Sequence, residues 1–301
     1  MESDESYYHY WRYKEVVDLK VLGLVASPRK LGNSEILVKE MLASLPAEVD
    51  KAMIHLPSLQ IEACKACYAC LPEDKNCIIS DDLAFLLERI KEADAVIIAS
   101  ACYFLGSHTS IKTITDRLIA VMANSREFGG KKCVTATVYG IPGWDGYARE
   151  AVNNFARFLH LDVVGDMQVQ AASPGEVVEP EILATARKLA NQLIDPAAAP
   201  VSAAEEVLAC QVCGSSMLQV RPSGQVRCSM CNATGELKAA GEGYSIVFEK
   251  SGHRRFSREG MAEHGRLLED VKKSYIANRQ ELFRRRKPYD AYDWWVVREG
   301  K

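Results

Sequence analysis

From about residue 19 onward, short apolar runs alternate with helical periods. LKVLGLVAS (19–27) reads as a buried strand, and residues 33–44 set Ile36, Leu37, Met41 and Leu42 near one face of a helix. KAMIHLP and DAVIIAS are the second and third strands. Residues 111–123 read as a helix, KKCVTATVYG as a fourth strand and 149–159 as a helix. VVGDMQV is a fifth strand, and 180–193 the closing helix. Strands that alternate with helices predict a parallel sheet covered on both faces, here an α/β doubly wound sheet of five strands. Ligands of such sheets bind outside the carboxyl ends of the strands.

The pattern then changes. DPAAAPVSAA, residues 195–204, is rich in Pro and Ala and reads as a linker. It separates a main unit, 18–194, from a short strand-and-turn region, 205–250. Residues 251–301 look helical, with Met261, Leu268, Val271, Tyr275 and Leu282 at spacings of three, four and seven, and end in a tail with Trp294-Trp295 that is expected to dock on the body. Residues 1–17 are an acidic, aromatic extension without the basic and apolar regions of a secretion signal, so a cytoplasmic location is expected. No apolar run is long enough for a membrane helix. The net charge of -3 gives no global attraction for nucleic acid, although basic residues gather at Arg254, Arg255, Arg258 and 284–287.

Two strand-end segments carry candidate binding chemistry. Ser27-Pro28-Arg29-Lys30-Leu31-Gly32-Asn33-Ser34 follows the first strand and opens the first helix. Free backbone N–H groups and the helix dipole favour an anion there, and Ser27, Arg29, Gly32, Asn33 and Ser34 are candidate phosphate ligands. An ordinary capped turn is the plainer reading. After the third strand, Ala101, Cys102, Tyr103, Phe104, Gly106 and Ser107 could hold a flat heteroaromatic ring. Tyr139, Gly140 and Gly143 end the fourth strand and would meet the same crevice.

With these loops in order, the chain resembles the NADPH-dependent FMN reductase group of flavodoxin-like proteins. S-x-R-x-x-G-N-S is similar to that family's FMN-phosphate loop, and Tyr103, Gly106, Lys112, Asp116 and Arg117 match its second signature. The resemblance spans about residues 18–194 and implies a flavodoxin-like fold with bound FMN. One departure is Ala101, where the family usually has Pro.

Eight of the ten cysteines fall into two groups. Cys64-x2-Cys67-x2-Cys70-x6-Cys77 is compact enough to wrap a 4Fe–4S cluster; zinc, a redox thiol pair and plain loop cysteines are the other readings. Beside the FMN loops this motif resembles the iron-sulfur flavoproteins of the same family, whose members have five residues before the last cysteine where this chain has six. Cys210-x2-Cys213-x14-Cys228-x2-Cys231 has the spacing of a tetrathiolate site. Structural zinc is expected, with rubredoxin-like iron as the alternative, and Arg221 and Arg227 would offset its charge if they lie close. Cys133 reads as a buried small hydrophobe, Cys102 as strand-end packing and His108 as a solvated loop residue.

The expected activity is that of an FMN-dependent oxidoreductase coupling a one-electron donor, such as a ferredoxin-like protein, to a two-electron small-molecule acceptor. No side chain stands out as an acid-base catalyst. The resemblance further implies a homo-oligomer. The rival readings are an NAD(P)H-dependent FMN or quinone reductase without a cluster, and a redox-sensing module that binds protein or nucleic acid.

Overall fold

The protein is described by a computed structural model over residues 19–72, 75–122, 125–195, 197–198, 201–202, 207–241, 243–249, 255–292 and 294. The proposed extension at 1–17, much of the linker, Arg254 and Trp295 lie outside the described residues.

Five parallel strands form the main sheet: β1 (Lys20–Ala26), β2 (Asp50–His55), β3 (Ala95–Tyr103), β5 (Lys132–Tyr139) and β6 (Asp162–Gln170). Their order is β2-β1-β3-β5-β6, which is the flavodoxin-type winding. A two-residue strand, β4 (Gly106–Ser107), folds back on the end of β3.

Alternation along β1 builds both cores. Val21 and Val25 face helices α1 (Asn33–Ser44) and α7 (Pro180–Asn191) through Leu37, Met41 and Leu189. Leu22 and Leu24 face α2 (Leu83–Glu92), α3 (Thr109–Thr115) and α6 (Ala148–Phe158) through Leu86, Ile111 and Phe155. Strands buried on both faces read as near-continuous apolar runs for this reason. Gly23 lets α1 lie close, since a Cβ there would collide with Val38.

The helix expected over 111–123 is interrupted. It stops at Thr115 and resumes as α4 (Ile119–Met122), followed by α5 (Ser125–Phe128). Between them Arg117 turns inward and is only 2% exposed.

The later cysteines sit on an antiparallel sheet of β7 (Leu218–Val220), β8 (Gln225–Cys228), β9 (Thr234–Ala240) and β10 (Gly243–Phe248). A 29-residue helix, α8 (Arg258–Arg286), follows, capped by Ser257, whose hydroxyl accepts from the Gly260 N–H at 3.1 Å. Its apolar positions stay largely uncovered, and Val271 and Tyr275 are exposed. Trp294 does not dock on the body as expected: it is 80% exposed and stacks on Tyr292. Among the described residues no helix is long and apolar enough to cross a membrane.

Candidate functional site

The first loop leaves β1 at buried Ser27, turns through a Gly32 N–H to Arg29 carbonyl bond of 3.1 Å, and enters α1. Gly32 provides no side-chain cap, so the first N–H groups of α1 stay available to an anion. Ser34 Oγ is buried and has no hydrogen-bond partner among the described residues. Asn33 works differently from expectation. Its amide donates to Ser173 O (2.9 Å) and Ala171 O (3.3 Å) and accepts from the Gly175 N–H (2.8 Å). Its side chain therefore braces the loop after β6, leaving the main-chain N–H for a ligand. Glu35 Oε2 accepts from the Leu31 N–H at 2.6 Å and is held below its usual pKa, first by the hydrogen bond from Lys39.

The second and third loops lock together. Phe104 and Leu105 turn the chain with φ of 48° and 69°. The Leu105 carbonyl accepts from the Tyr147 N–H at 2.7 Å. A Cβ on Gly106 would come within 2.8 Å of the Tyr147 hydroxyl, so this position takes only glycine without displacing that ring. Cys102 Sγ packs at 3.4 Å from Trp144 O, and burial pushes its pKa up. Ala101 stays in the ladder, paired with Val138, so β3 runs on through Cys102 and Tyr103, which pair with Ser107 and Gly106. Tyr139 and Gly140 are half-buried at the end of β5, and Gly143 takes a φ of 75° at the tip of its loop. The resulting rim is apolar and open: Leu31, Tyr103, Ile141, Trp144 and Tyr147 are exposed, and Phe104 is 98% exposed.

Two strand-end residues, Ser100 and His55, were not among the candidate site residues, and His108 departs from its expected place. Ser100 Oγ accepts from the His108 N–H at 3.2 Å, fixing the start of α3. His55 Nε2 lies 2.7 Å from Ser27 O. His108, expected in solvent, is half-buried, accepts from the Ser110 N–H through Nδ1 and stands edge-on to Tyr103 at 5.5 Å. Burial, and then the charge of His55, push its pKa down.

The cysteine loop lies between β2 and α2. Cys64 and Cys67 are exposed, while Cys70 and Cys77 are half-buried. Ala66 and Tyr68 adopt φ of 49° and 54°, which curls the segment, and the Ala66 N–H points to Cys64 Sγ at 3.4 Å. Burial raises the Cys70 pKa, and Cys77, Cys64 and Cys67 raise it further. Arg117 bonds Cys77 from beneath. Lys112 and Asp116 instead pair with each other at the surface.

Cys210, Cys213, Cys228 and Cys231 are the one set of metal-ligating side chains among the described residues whose ligand atoms lie within 4.8 Å of one another. Two knuckles create it. The Gly214 N–H bonds Cys210 O at 2.7 Å, the Asn232 N–H bonds Cys228 O at 3.0 Å, and both Gly214 and Asn232 have positive φ. Hydrogen bonds within the set, first that with Cys213, pull Cys210 down to about 7. They lower Cys228 as well and raise Cys213 and Cys231. Arg227 bonds Gln219 and Asn232, the knuckle residue after Cys231, and Arg221 bonds Gln225. Arg157 bonds Cys213 O, Arg149 bonds Gly214 O at 3.3 Å, and Arg255 bonds Met230 O at 2.6 Å.

The sequence profile of NADPH-dependent FMN reductases matches residues 19–174. An iron-sulfur flavoprotein of Methanocaldococcus jannaschii is 30% identical over 190 residues, which are 59% of this chain and 96% of that protein. An iron-sulfur flavoprotein of Archaeoglobus fulgidus is 30% identical over 178 residues, 58% of this chain and 77% of that one. A solved structure described as a flavone reductase superposes with a TM-score of 0.72 at 23% identity, covering 93% of this chain and 100% of that one. That likeness carries the shared fold into the ribbon and α8.

Proposed function

Since this chain belongs to the NADPH-dependent FMN reductase family, in its iron-sulfur flavoprotein branch, and is an FMN-dependent oxidoreductase, we propose that it couples a one-electron donor to a two-electron acceptor through FMN and a 4Fe–4S cluster. The observation that carries the flavin half is Ser34 Oγ, a buried hydroxyl without a partner at the uncapped start of α1. Burying a hydroxyl unpaired costs a few kcal/mol, and a terminal phosphate would satisfy it together with the α1 N–H groups and Arg29. The donor set supports the cluster half: four cysteines on one curled loop, set wider apart than the single-ion set of the ribbon. FMN exchanges one or two electrons and a cluster one, which is the chemistry these groups would supply when bound.

The residues around them bind, orient and exclude water. Ser27, Gly32 and Ser34 hold the phosphate end, and Asn33 braces the loop. Tyr103, Phe104 and the Gly140–Gly143 turn border the ring. Their open aromatic rim fits a flat small-molecule acceptor, in keeping with a neighbour named for flavone reduction. A ferredoxin-like donor, a homo-oligomeric assembly and a reducing cytoplasmic setting complete the reading.

The deciding experiment quantifies FMN, iron, acid-labile sulfide and zinc on one anaerobic sample, then compares single-turnover reduction by reduced ferredoxin and by NADPH. Cluster-dependent reduction by ferredoxin is expected. Reduction by NADPH alone, in protein free of sulfide, would leave a plain FMN or quinone reductase.

A double Arg29→Ala, Ser34→Ala variant should bind FMN at least about tenfold more weakly, since a hydrogen bond to a charged group contributes roughly 1.5–3 kcal/mol. Equilibrium dialysis reads this directly, and unchanged affinity would move the phosphate elsewhere.

A further inference from the structure

We propose that Arg117 holds the cysteine loop in place and raises the reduction potential of the centre it carries, through a charged hydrogen bond to Cys77 Sγ. This inference rests on the assignment of a cluster to Cys64, Cys67, Cys70 and Cys77.

Arg117 follows α3, which begins at the flavin-side loop, and it spends its guanidinium on the cysteine segment. Nη2 donates to Cys77 Sγ at 3.3 Å and to Ile79 O at 3.4 Å. Nη1 donates to Glu62 O at 3.2 Å and forms an ion pair with Asp81. These partners flank the cysteines on both sides, at 62 and at 77–81. Asp81 closes the bracket by accepting from the Glu62 N–H at 2.8 Å and the Leu83 N–H at 3.2 Å.

Burial makes these bonds matter. The Arg117 side chain is 1% exposed and that of Asp81 is 7% exposed, so water screens neither. A buried guanidinium needs compensating charge, and a thiolate at Cys77 supplies it beside Asp81. The same bond picks out Cys77 as the ligand on the protein side of the loop, despite its longer spacing from Cys70. An electron arriving from a one-electron donor adds negative charge within one hydrogen bond of this cation. The reduced state is favoured, and hydrogen bonds to ligating sulfur and local net charge are established levers on such potentials. Arg117 therefore acts through Cys77 as a positioning residue.

The test uses full-length Arg117→Gln and Asp81→Asn proteins purified anaerobically, with iron and sulfide assayed and the cluster titrated by EPR. Arg117→Gln should lower the reduction equilibrium constant of the cluster at least tenfold, about 59 mV for a one-electron couple, with the FMN potential unmoved. Asp81→Asn leaves the cation less neutralised and should shift the cluster in the opposite direction. A purely structural arginine would give two variants that lose iron alike, with no opposed shifts. Should Arg117→Gln fail to retain iron, the upward shift in Asp81→Asn decides, and an unchanged or lowered potential there overturns the proposal. Wild-type protein without acid-labile sulfide overturns the cluster assignment and this inference together. A wild-type cluster indifferent to both substitutions overturns the role of Arg117 alone.

Discussion

Serine at Cys67 is expected to strip iron and acid-labile sulfide from anaerobically purified protein while FMN occupancy stays near full. Iron should fall from about four atoms per chain to below about one beyond any iron in the ribbon, leaving a flavin-only visible spectrum apart from that site. The separation follows from where the two sets of residues sit. Cys67 is exposed on a loop outside both apolar cores, so its loss opens no cavity and breaks no strand. The residues assigned to FMN lie on other loops, at the start of α1, the β3–β4 turn and the end of β5. Hydrogen bonds tie the cysteine loop to the body through Arg117, Asp81 and Asp82 and through Lys272 of α8, which donates to Tyr68 O at 3.4 Å, and none of these bonds involves Cys67. Parallel iron and flavin assays, with circular dichroism as the folding control, read the result. A Cys67→Ser protein with a full iron complement would remove that residue from the ligand set. Joint loss of FMN would show that the two sites depend on one another.

What the sequence made legible was whatever repeats locally. The first helix begins and ends where its periodicity placed it, at 33 and 44, because its apolar stripe and its Gly-Asn-Ser start are contiguous. The knuckles of the ribbon followed from cysteine spacing alone, since each is made within five residues. Contacts across the chain stayed hidden. The break at Arg117 depends on Asp81 and Cys77, 36 and 40 positions away, and no local period records them. The third strand extends past its apolar run because Ala101 keeps an N–H and Cys102 pairs with Ser107. Arg149 opens the helix predicted over 149–159, and no local pattern records that it is buried in an ion network with Glu150 and Asp166. Asn33 read as a phosphate ligand or as a cap in an ordinary turn, and its side chain instead braces the loop after β6, a contact about 140 positions away that no local pattern records.

That network links the ribbon to the flavin domain and sets the size of the last expected effect. Removal of the ribbon metal should unfold residues 207–249 and loosen α6 with them. The buried apolar side chains of the ribbon are few, namely Cys210, Val226, Cys228, Cys231, Ala233 and Ile246, with partly buried neighbours such as Met230 and Phe248 around them. Such a core cannot offset the entropy of ordering the segment, so metal binding supplies the difference, on the order of 10 kcal/mol for structural zinc. Geometry agrees with one tetrahedral ion. Cys210 and Cys231 sulfurs lie 3.5 Å apart, and those of Cys213 and Cys228 3.6 Å. Bonds of about 2.3 Å in a tetrahedron require sulfur separations of roughly 3.8 Å. Loss of the knuckles would also strip Glu150 of the Ser216 N–H and hydroxyl at 3.0 and 3.1 Å, and Arg149 and Arg157 of their carbonyl partners. Protons compete with metal for thiolates, so the same loosening should set in as pH falls and reverse when it is restored. Hydrogen exchange on the full chain, with and without chelator and in Cys213→Ser, would locate it. We expect zinc near one per chain after expression with both metals supplied, because a closed tetrathiolate without an open position is a structural site. Stoichiometric iron in the ribbon with ferric-thiolate absorbance would overturn the zinc assignment and make the docked knuckle, held by Arg149 and Arg157 of α6, a third redox station beside the flavin domain.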